Sequence, residues 1–366
     1  MKRLESLDAL RGFDMFFIMG GAGLIAAIAS FFPDNAIWQT IAEHMDHVPW
    51  DGLKHHDTIF PLFLFIAGVS FPFSFAKQQE KGKSMGAIYR KIVVRGLMLV
   101  FLGLVCNGLL KLEFAELRYC SVLARIGLAW MFGALLFCTV HDWRKLVGII
   151  VFILVGYWLL TILVPSPEAN GASPLTKEGN LACYLDAKIL GAHSYRADYD
   201  PEGLLSTLPA ICTALLGMLS GLWLRRTDVM PNRKALMLAV AGVAMAVVGW
   251  AWGLFYPINK ALWSSSFVCA VAGYSLLMLA LFYFIIDVKG WKSWDKFFTV
   301  IGMNSIAIFM IPRFLPLRET SHRLFDGFIG LCPDEDIQGL LTRVAALFVS
   351  WMFLYFLYRQ KIFLRV

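Results

Sequence analysis

The chain has 366 residues, of which 58% are hydrophobic and only 16% are charged. A soluble domain carries about 25% charged residues, so this composition excludes an ordinary soluble enzyme and favours a membrane protein. The formal net charge of +7 is typical of a membrane protein whose basic loops lie beside anionic lipid. We therefore expect the lipid bilayer as a partner and no nucleic acid.

The N-terminal segment has the pattern of a cytoplasmic lead-in to a first span. Glu5, Asp8 and Asp14 interrupt its apolar run and no small-residue cleavage site follows, so we do not expect a removable signal peptide. The 7 cysteines show no CxxC pair and no metal-ligand spacing.

A helix needs about 20 mostly apolar residues to cross a bilayer. The hydropathy pattern predicts an all-α, polytopic protein with about ten transmembrane helices in a single transmembrane domain over 1–366. The predicted spans are 13–32, 58–76, 92–110, 121–140, 146–164, 203–224, 235–253, 264–286, 297–312 and 339–357.

The distribution of Lys and Arg predicts the orientation of these spans. With the N-terminus in the cytoplasm, the inner segments hold about twice as many basic residues as the outer ones, Lys2, Arg3 and Arg365 among them. We expect both termini in the cytoplasm and a multi-pass location in the inner (cytoplasmic) membrane. The long segments 33–57, 165–202 and 313–338 would then face the periplasm or the outside.

The densest polar cluster lies at 44–57, directly before the second span. It holds 4 of the 7 histidines, at positions 44, 47, 55 and 56, together with several carboxylates. Histidine is the side chain best suited to move protons near neutral pH, so the cluster is a candidate catalytic site. An ordinary hydrated loop is the alternative, and a metal site is a third interpretation that lacks a standard ligand spacing.

Two charged residues lie inside predicted spans. Asp14 falls in the first span and Arg125 in the fourth. A charge at that depth is costly and normally faces the bundle interior with a partner. A structural ion pair between the two is one interpretation, and an anionic ligand on Arg125 is the other, since a guanidinium suits phosphate or carboxylate. Arg343 is a weaker case of the same kind.

Two further polar stretches border apolar helices. In FYPINKALWSSSFV, one interpretation is that the serines at 264–266 cap the next helix, and the alternative is that Asn259 and Lys260 line a polar cavity. In GMNS, Asn304 either makes a hydrogen bond between helices or faces a substrate.

Several of these segments together resemble a known family. LDALRGFDMFFIMGG at 7–21 and HVPWDGLKHHDTIFPLFLFIAGVSFPFS at 47–74 are similar to the heparan-α-glucosaminide N-acetyltransferase family of transmembrane acyltransferases. The resemblance implies a bacterial-type member without the lumenal N-terminal domain of the animal enzyme. The other similar segments are SVLARIGLA at 121–129, YDPEGLLSTLPAICTALLG at 199–217, YPINKALWSSSFV at 256–268 and IGMNSIAIFM at 301–310.

The resemblance also implies a reaction. Family members are expected to transfer an acetyl group from cytosolic acetyl-CoA to an amino sugar across the membrane. The family's catalytic histidine corresponds to His47, three residues before the Trp of the W-[DN]-G-L motif, and its aspartate before F-P corresponds to Asp57. Lysosomal members carry Asn-Tyr-Gly-Gly late in the first span, whereas this chain has Met19, Gly20 and Gly21 there, so no role passes to an Asn.

We therefore expect a membrane-bound acetyltransferase acting on a hexosamine-type acceptor, with N-acetylation favoured over O-acetylation. His47 would be the general base or would carry the acetyl group as an acyl-imidazole, and Asp57 would orient it. Acetyl-CoA is the expected co-substrate, no metal is expected, and a homodimer stays open. The alternative is a transporter or flippase for a small anion or glycan. The expected cofactor-binding residues are Arg125, Asn259, Lys260 and Asn304, and the expected substrate-binding residues are Trp50, Asp51, His55 and Trp263.

Overall fold

The structure, a computed structural model, describes residues 4–364. Over this range the backbone forms helices joined by turns and contains no β-strand, which confirms the all-α prediction. Lys2, Arg3 and Arg365, which contribute to the predicted basic excess, lie outside the described residues.

The helices follow the apolar pattern of the sequence closely. They are α1 Glu5–Phe16, α2 Ala22–Ala29, α3 Ala36–Glu43, α4 His55–Glu80, α5 Met85–Cys106, α6 Val122–Thr139, α7 Trp143–Leu163, α8 Leu181–Leu190, α9 Thr207–Arg225, α10 Pro231–Gly253, α11 Ser265–Phe282, α12 Asp295–Met303, α13 Ser305–Met310, α14 Leu317–Ile329 and α15 Glu335–Arg359.

Eight helical segments of the described chain are long and apolar enough to cross a membrane, and the number is nine if the bent pair Asp295–Met303 and Ser305–Arg313 forms one span. The chain is therefore a multi-pass membrane protein. The remaining predicted span, 92–110, corresponds to α5, which has 22 residues. Its first half carries Arg90, Lys91 and Arg95, which explains why this helix falls short on apolar character.

Two of the spans are broken. The first runs over Glu5–Ala29, but a π-helical turn at Phe17–Gly21 interrupts it, and Gly20 there has a φ of 133°. The second break separates α12 from α13 at Asn304, where the two helices bend by 71°. Breaks of this kind free backbone groups and are frequent at functional sites in membrane proteins.

The chain folds into two compact units, each with its own packing. The first unit comprises residues 4–48, 54–59 and 278–364 of the described chain. In it α1 packs along α12, and a methyl group on Gly12 would overlap the carbonyl of Phe298, so the two backbones meet directly there. Asp287 accepts the backbone N–H groups of Glu5 and Ser6 and so caps the start of α1.

The second unit comprises residues 49–53 and 60–277. It holds most of α4 and α11 and all of α5 to α10. Helix α6 is central to it, since it packs on α5 along one side and on α9 along another, while α7 also packs on α9.

Candidate active site

The candidate site in the first unit is organised by the start of α4. Asp57 occupies the third position of this helix and is only 2% exposed. Its Oδ2 accepts the backbone N–H of Lys54, at 3.3 Å, and that of Val48, at 3.2 Å. A carboxylate that reaches back to the residue before its helix satisfies a donor that the helix leaves unpaired and also suits the positive end of the helix dipole. Hydrogen bonds from the backbone of the preceding segment therefore hold the Asp57 carboxylate in place.

The other oxygen of Asp57 holds His47. Oδ1 of Asp57 lies 2.7 Å from Nδ1 of His47. Because a carboxylate oxygen only accepts, Nδ1 donates, and the lone pair of the neutral imidazole is on Nε2. The His47 side chain is 55% exposed while Asp57 is buried. A buried carboxylate that sets the tautomer of an accessible imidazole is the arrangement of a general base.

The neighbouring histidines have separate contacts. The carbonyl of His44 accepts the backbone N–H of His56 at 3.0 Å, and Nδ1 of His44 accepts that of His55 at 3.2 Å. His56 packs its ring edge-on against His47, with centroids 4.6 Å apart. His55 packs against Phe17 of the π-helical turn, at 4.4 Å. Over residues 4–364 the structure has no group of three His, Cys, Asp or Glu side chains placed to hold a metal ion.

Trp50 and Asp51, predicted to contact substrate, lie in the second unit, where they anchor the 49–53 turn. Asp51 Oδ1 accepts the backbone N–H of Ile258 at 2.9 Å, and Gly52 donates its N–H to the carbonyl of the same residue at 2.9 Å. Gly52 has a φ of 125°, a conformation that explains glycine at this position. Trp50 donates Nε1–H to the carbonyl of Leu175.

The 256–267 segment forms a buried polar turn before α11. Ser264 Oγ accepts the backbone N–H of Phe267 at 3.2 Å, so the helix-capping interpretation of the 264–266 serines is confirmed for this residue. Asn259 is 1% exposed and its Oδ1 accepts the N–H of Leu262 at 2.8 Å. Lys260 is half-buried in the same turn.

Arg125, in the first turn of α6, is 1% exposed. Its Nη2 donates to the carbonyl of Gly203 at 3.0 Å and to the hydroxyl of Ser206. The guanidinium lies over the ring of Trp263, 5.1 Å from its centroid. Asp14, the partner considered for Arg125 from the sequence, belongs to the other unit.

Trp263 is fully buried, and its Nε1–H donates to Thr213 Oγ1 at 3.1 Å. Its φ of 49° is unusual for a bulky residue. The structure therefore places Trp263 beneath Arg125, where it supports the guanidinium instead of presenting a face to solvent.

Asn304 lies at the break between α12 and α13 and is buried. Its Nδ2 donates to the carbonyl of Ile362 at 3.1 Å, and its Oδ1 accepts the N–H of Leu364 at 3.1 Å. Asn304 therefore does make hydrogen bonds, but its partners lie in the non-helical segment after α15 and not in another helix.

Comparison with known proteins identifies the family of the chain. The family model for "Heparan-alpha-glucosaminide N-acetyltransferase, catalytic" matches residues 3–249. The chain belongs to this family. The match includes the 44–57 cluster and Arg125, and it ends before the turn at 256–267.

Two curated relatives carry the family's full name. Human heparan-alpha-glucosaminide N-acetyltransferase is 27% identical over 427 residues, covering 100% of this chain and 60% of the human protein. The mouse heparan-alpha-glucosaminide N-acetyltransferase is 27% identical over 431 residues, covering 100% of this chain and 61% of the mouse protein. The chain thus spans about three fifths of each relative's length, and the resemblance to the heparan-α-glucosaminide N-acetyltransferase family is confirmed.

One polar loop of this family member was not predicted as functional. In the segment YDPEG, Asp200 receives two hydrogen bonds from Arg118, and Glu202 pairs with the same guanidinium. Burial lowers the pKa of Arg118. Its hydrogen bonds to Asp200 and the charges of both carboxylates raise the pKa by more than burial lowers it, so the net shift is upward. The next residue, Gly203, supplies the carbonyl that Arg125 binds. The density of charge in YDPEG is the signal that could have identified this loop from the sequence.

Proposed function

We propose that this chain is an acetyl-CoA-dependent acetyltransferase that acetylates the amino group of a hexosamine-type sugar. The observation that carries the proposal is the 2.7 Å contact between His47 Nδ1 and the buried Asp57 carboxylate. Membership of the heparan-α-glucosaminide N-acetyltransferase catalytic family supports the reaction class and the acceptor class. The predicted substrate and cofactor residues remain part of this proposal, except Asn304, whose amide is bonded to the backbone of Ile362 and Leu364.

The proposed transfer needs a proton acceptor beside the amine. The amine nitrogen attacks the thioester carbonyl, the C–N bond forms, and Nε2 of His47 takes the proton that the nitrogen loses. The C–S bond then breaks, the sulfur leaves with the bonding electrons, and the imidazolium returns the proton to give the CoA thiol. Asp57 keeps Nδ1 protonated and stabilises the imidazolium, as a buried carboxylate does in other His–carboxylate pairs.

Direct transfer in a ternary complex is favoured over an acyl-imidazole on His47. An acyl group on Nε2 would require the same Asp57 contact, so the static geometry serves either route, and the direct route needs no second chemical step. We further propose that the chain lies in the inner membrane with the 33–57 segment facing outwards. The 21 basic residues that the positive-inside pattern assigns to the cytoplasm support this orientation.

A transporter or flippase for a small anion or glycan is the second candidate. The two broken spans favour it, because discontinuous helices line substrate sites in many transporters. Transport does not require a carboxylate-oriented imidazole, so the His47–Asp57 pair favours the enzyme.

The deciding experiment uses the purified full-length chain in detergent with radiolabelled acetyl-CoA and a panel of amino sugars. Wild-type protein should acetylate at least one hexosamine, and His47→Ala should abolish that transfer. His141→Ala, which changes a histidine outside the 44–57 cluster, is the matched control and should keep wild-type activity. Uptake of an unmodified anion or glycan into vesicles, with no acetylation of any acceptor, would contradict the acetyltransferase proposal and support the transporter.

A further inference from the structure

Arg125 is a buried cation with spare donors. Only Nη2 has hydrogen-bond partners, whereas Nε and Nη1 have none among the described residues. Within the described chain no carboxylate lies within ion-pair distance of this guanidinium. Asp186 and Glu202 act on its charge only from further away. A buried charge with unpaired donors is costly unless a partner completes it.

A second arginine that contacts the 199–206 loop, Arg118, shows the contrast. Arg118 is neutralised directly by Asp200 and Glu202. Arg125 instead receives a carbonyl and a hydroxyl, from Gly203 and Ser206, which carry no charge. The 199–206 loop therefore neutralises Arg118 and leaves the positive charge of Arg125 uncompensated by direct contact.

Asn259 also has a buried donor without a hydrogen-bond partner among the described residues. Its Oδ1 is used by Leu262, but its Nδ2 has no hydrogen-bond partner among the described residues, although the side chain is 1% exposed. Asn259 belongs to the turn that carries Trp263, and the Trp263 ring lies under the Arg125 guanidinium. All the spare groups on these two side chains are donors, so a ligand that suits them offers acceptor oxygens.

We propose that Arg125 and Asn259 form a binding site for an oxyanion carried by one of the reactants. Phosphate and sulfate supply the negative charge and the several acceptor oxygens that these donors lack. Trp263, held by Thr213 in a conformation uncommon for a bulky residue, fixes the guanidinium from below. The inference rests on the proposed function only for the source of the oxyanion: a phosphate of acetyl-CoA, or an acidic group on the sugar.

The test measures equilibrium binding to full-length protein in detergent, without turnover. Two variants remove the donors. Arg125→Lys keeps the charge but loses Nε and Nη1, and Asn259→Asp keeps the acceptor for Leu262 while placing a carboxylate where the donor was. The probes are acetyl-CoA against acetylpantetheine, which lacks the nucleotide phosphates, and glucosamine 6-sulfate against glucosamine. Arg196→Lys, at an exposed arginine of the 191–200 segment, controls for general surface charge.

A phosphate site predicts that both variants bind acetyl-CoA at least tenfold more weakly, which is about 1.4 kcal/mol, and bind acetylpantetheine normally. A sulfate site predicts the same loss for glucosamine 6-sulfate and none for glucosamine. Arg196→Lys should change neither. If Arg125→Lys fails to fold, Asn259→Asp decides. Folded variants that bind all four probes like wild type overturn the site. If the protein transfers no acetyl group but still binds a probe through Arg125, the proposed function is wrong and the oxyanion site is supported.

Discussion

His44 caps the helix that carries the candidate catalytic aspartate: its Nδ1 accepts the backbone N–H of His55 at 3.2 Å. His44 and His47 are three residues apart and have different tasks, because only His47 contacts Asp57. A histidine that caps a helix should matter for stability, and a histidine that accepts the substrate proton should matter for rate.

We therefore expect the two alanine variants to affect different properties, namely stability in one case and transfer rate in the other. His44→Ala should lower the free energy of unfolding by about 0.5–2 kcal/mol, as loss of a helix cap does, and reduce turnover less than tenfold. His47→Ala should lose at least about 100-fold in transfer rate while still binding acetyl-CoA. Thermal melts and initial rates on both proteins measure the two effects. Near-normal turnover in folded His47→Ala, together with an inactive His55→Ala or His56→Ala, would place the base in the first turn of α4.

Asp57→Asn should fold and still be inactive. The amide oxygen can accept the N–H groups of Val48 and Lys54, but the NH2 group then faces Nδ1 of His47 and donates to it. That forces the proton onto Nε2, where the lone pair is needed. We expect a loss of at least about 100-fold in rate with little change in melting temperature. Retention of more than a tenth of the wild-type rate would argue that Asp57 does not set the tautomer.

Asn304 should stabilise the fold and leave acetyl-CoA binding unchanged, since its amide is bonded to the backbone of Ile362 and Leu364. Asn304→Ala should cost about 1–3 kcal/mol, the usual penalty for buried groups that lose their partner. Removing residues 362–366 should cost a similar amount, and the two changes together should cost less than their sum, because they delete the same bonds. Weaker acetyl-CoA binding by well-folded Asn304→Ala would restore the sequence-based prediction.

Asp186 should make stability depend on pH. Burial raises the pKa of this carboxyl to about 6, although the N–H of Leu204 and the charge of Arg125 oppose the shift. A raised pKa means that the folded state holds the proton more tightly than the unfolded state, so the stabilisation is present below about pH 4 and is lost as pH rises to about 6. Asp186→Asn does not titrate. Its melting temperature relative to wild type should rise between pH 4 and 6 and then level off; a constant difference across this range would contradict the assignment.

Cysteine labelling tests the proposed orientation. Single cysteines at 170–195 and 320–335 should react with an impermeant reagent added from outside, and those at 80–88 and 228–232 should not. The 80–88 positions cover the connection from α4 to α5 and the first turn of α5, and the 228–232 positions cover the end of the connection from α9 to α10 and the start of α10. Outside labelling of the 80–88 connection would reverse or remove the predicted topology.

The sequence predicted the membrane-spanning helices well because their apolar runs are long enough to cross a bilayer. It did not predict α3, α8 and α14, which lie in the long segments between spans. The family motif also paired His47 with Asp57, which are close in the chain, and their side chains are in contact in the structure. The sequence could not predict the partners of Asn304, since a contact with residues 58 and 60 positions away depends on tertiary folding.

Trp263 shows the same limit for burial. A Trp beside Asn and Lys in an apparent loop is equally compatible with a substrate face and with a core position. Only the packing of the second unit decides that it lies beneath Arg125. The break at Phe17–Gly21 was also hidden, because Gly20 and Gly21 are compatible with a continuous tightly packed helix.

The capping carboxylate of Asp57 links catalysis to the melting of a single helical turn. Fraying of the first turn of α4 would release the N–H of Lys54, free the carboxylate to rotate, and leave the His47 ring without its fixed tautomer. Helix ends open far more readily than whole domains unfold. If the proposed function is right, the protein should lose acetyl transfer on warming several degrees before its membrane helices separate, and the loss should reverse on cooling. Activity would then report the fraying of the first turn of α4, while the rest of the protein stays folded.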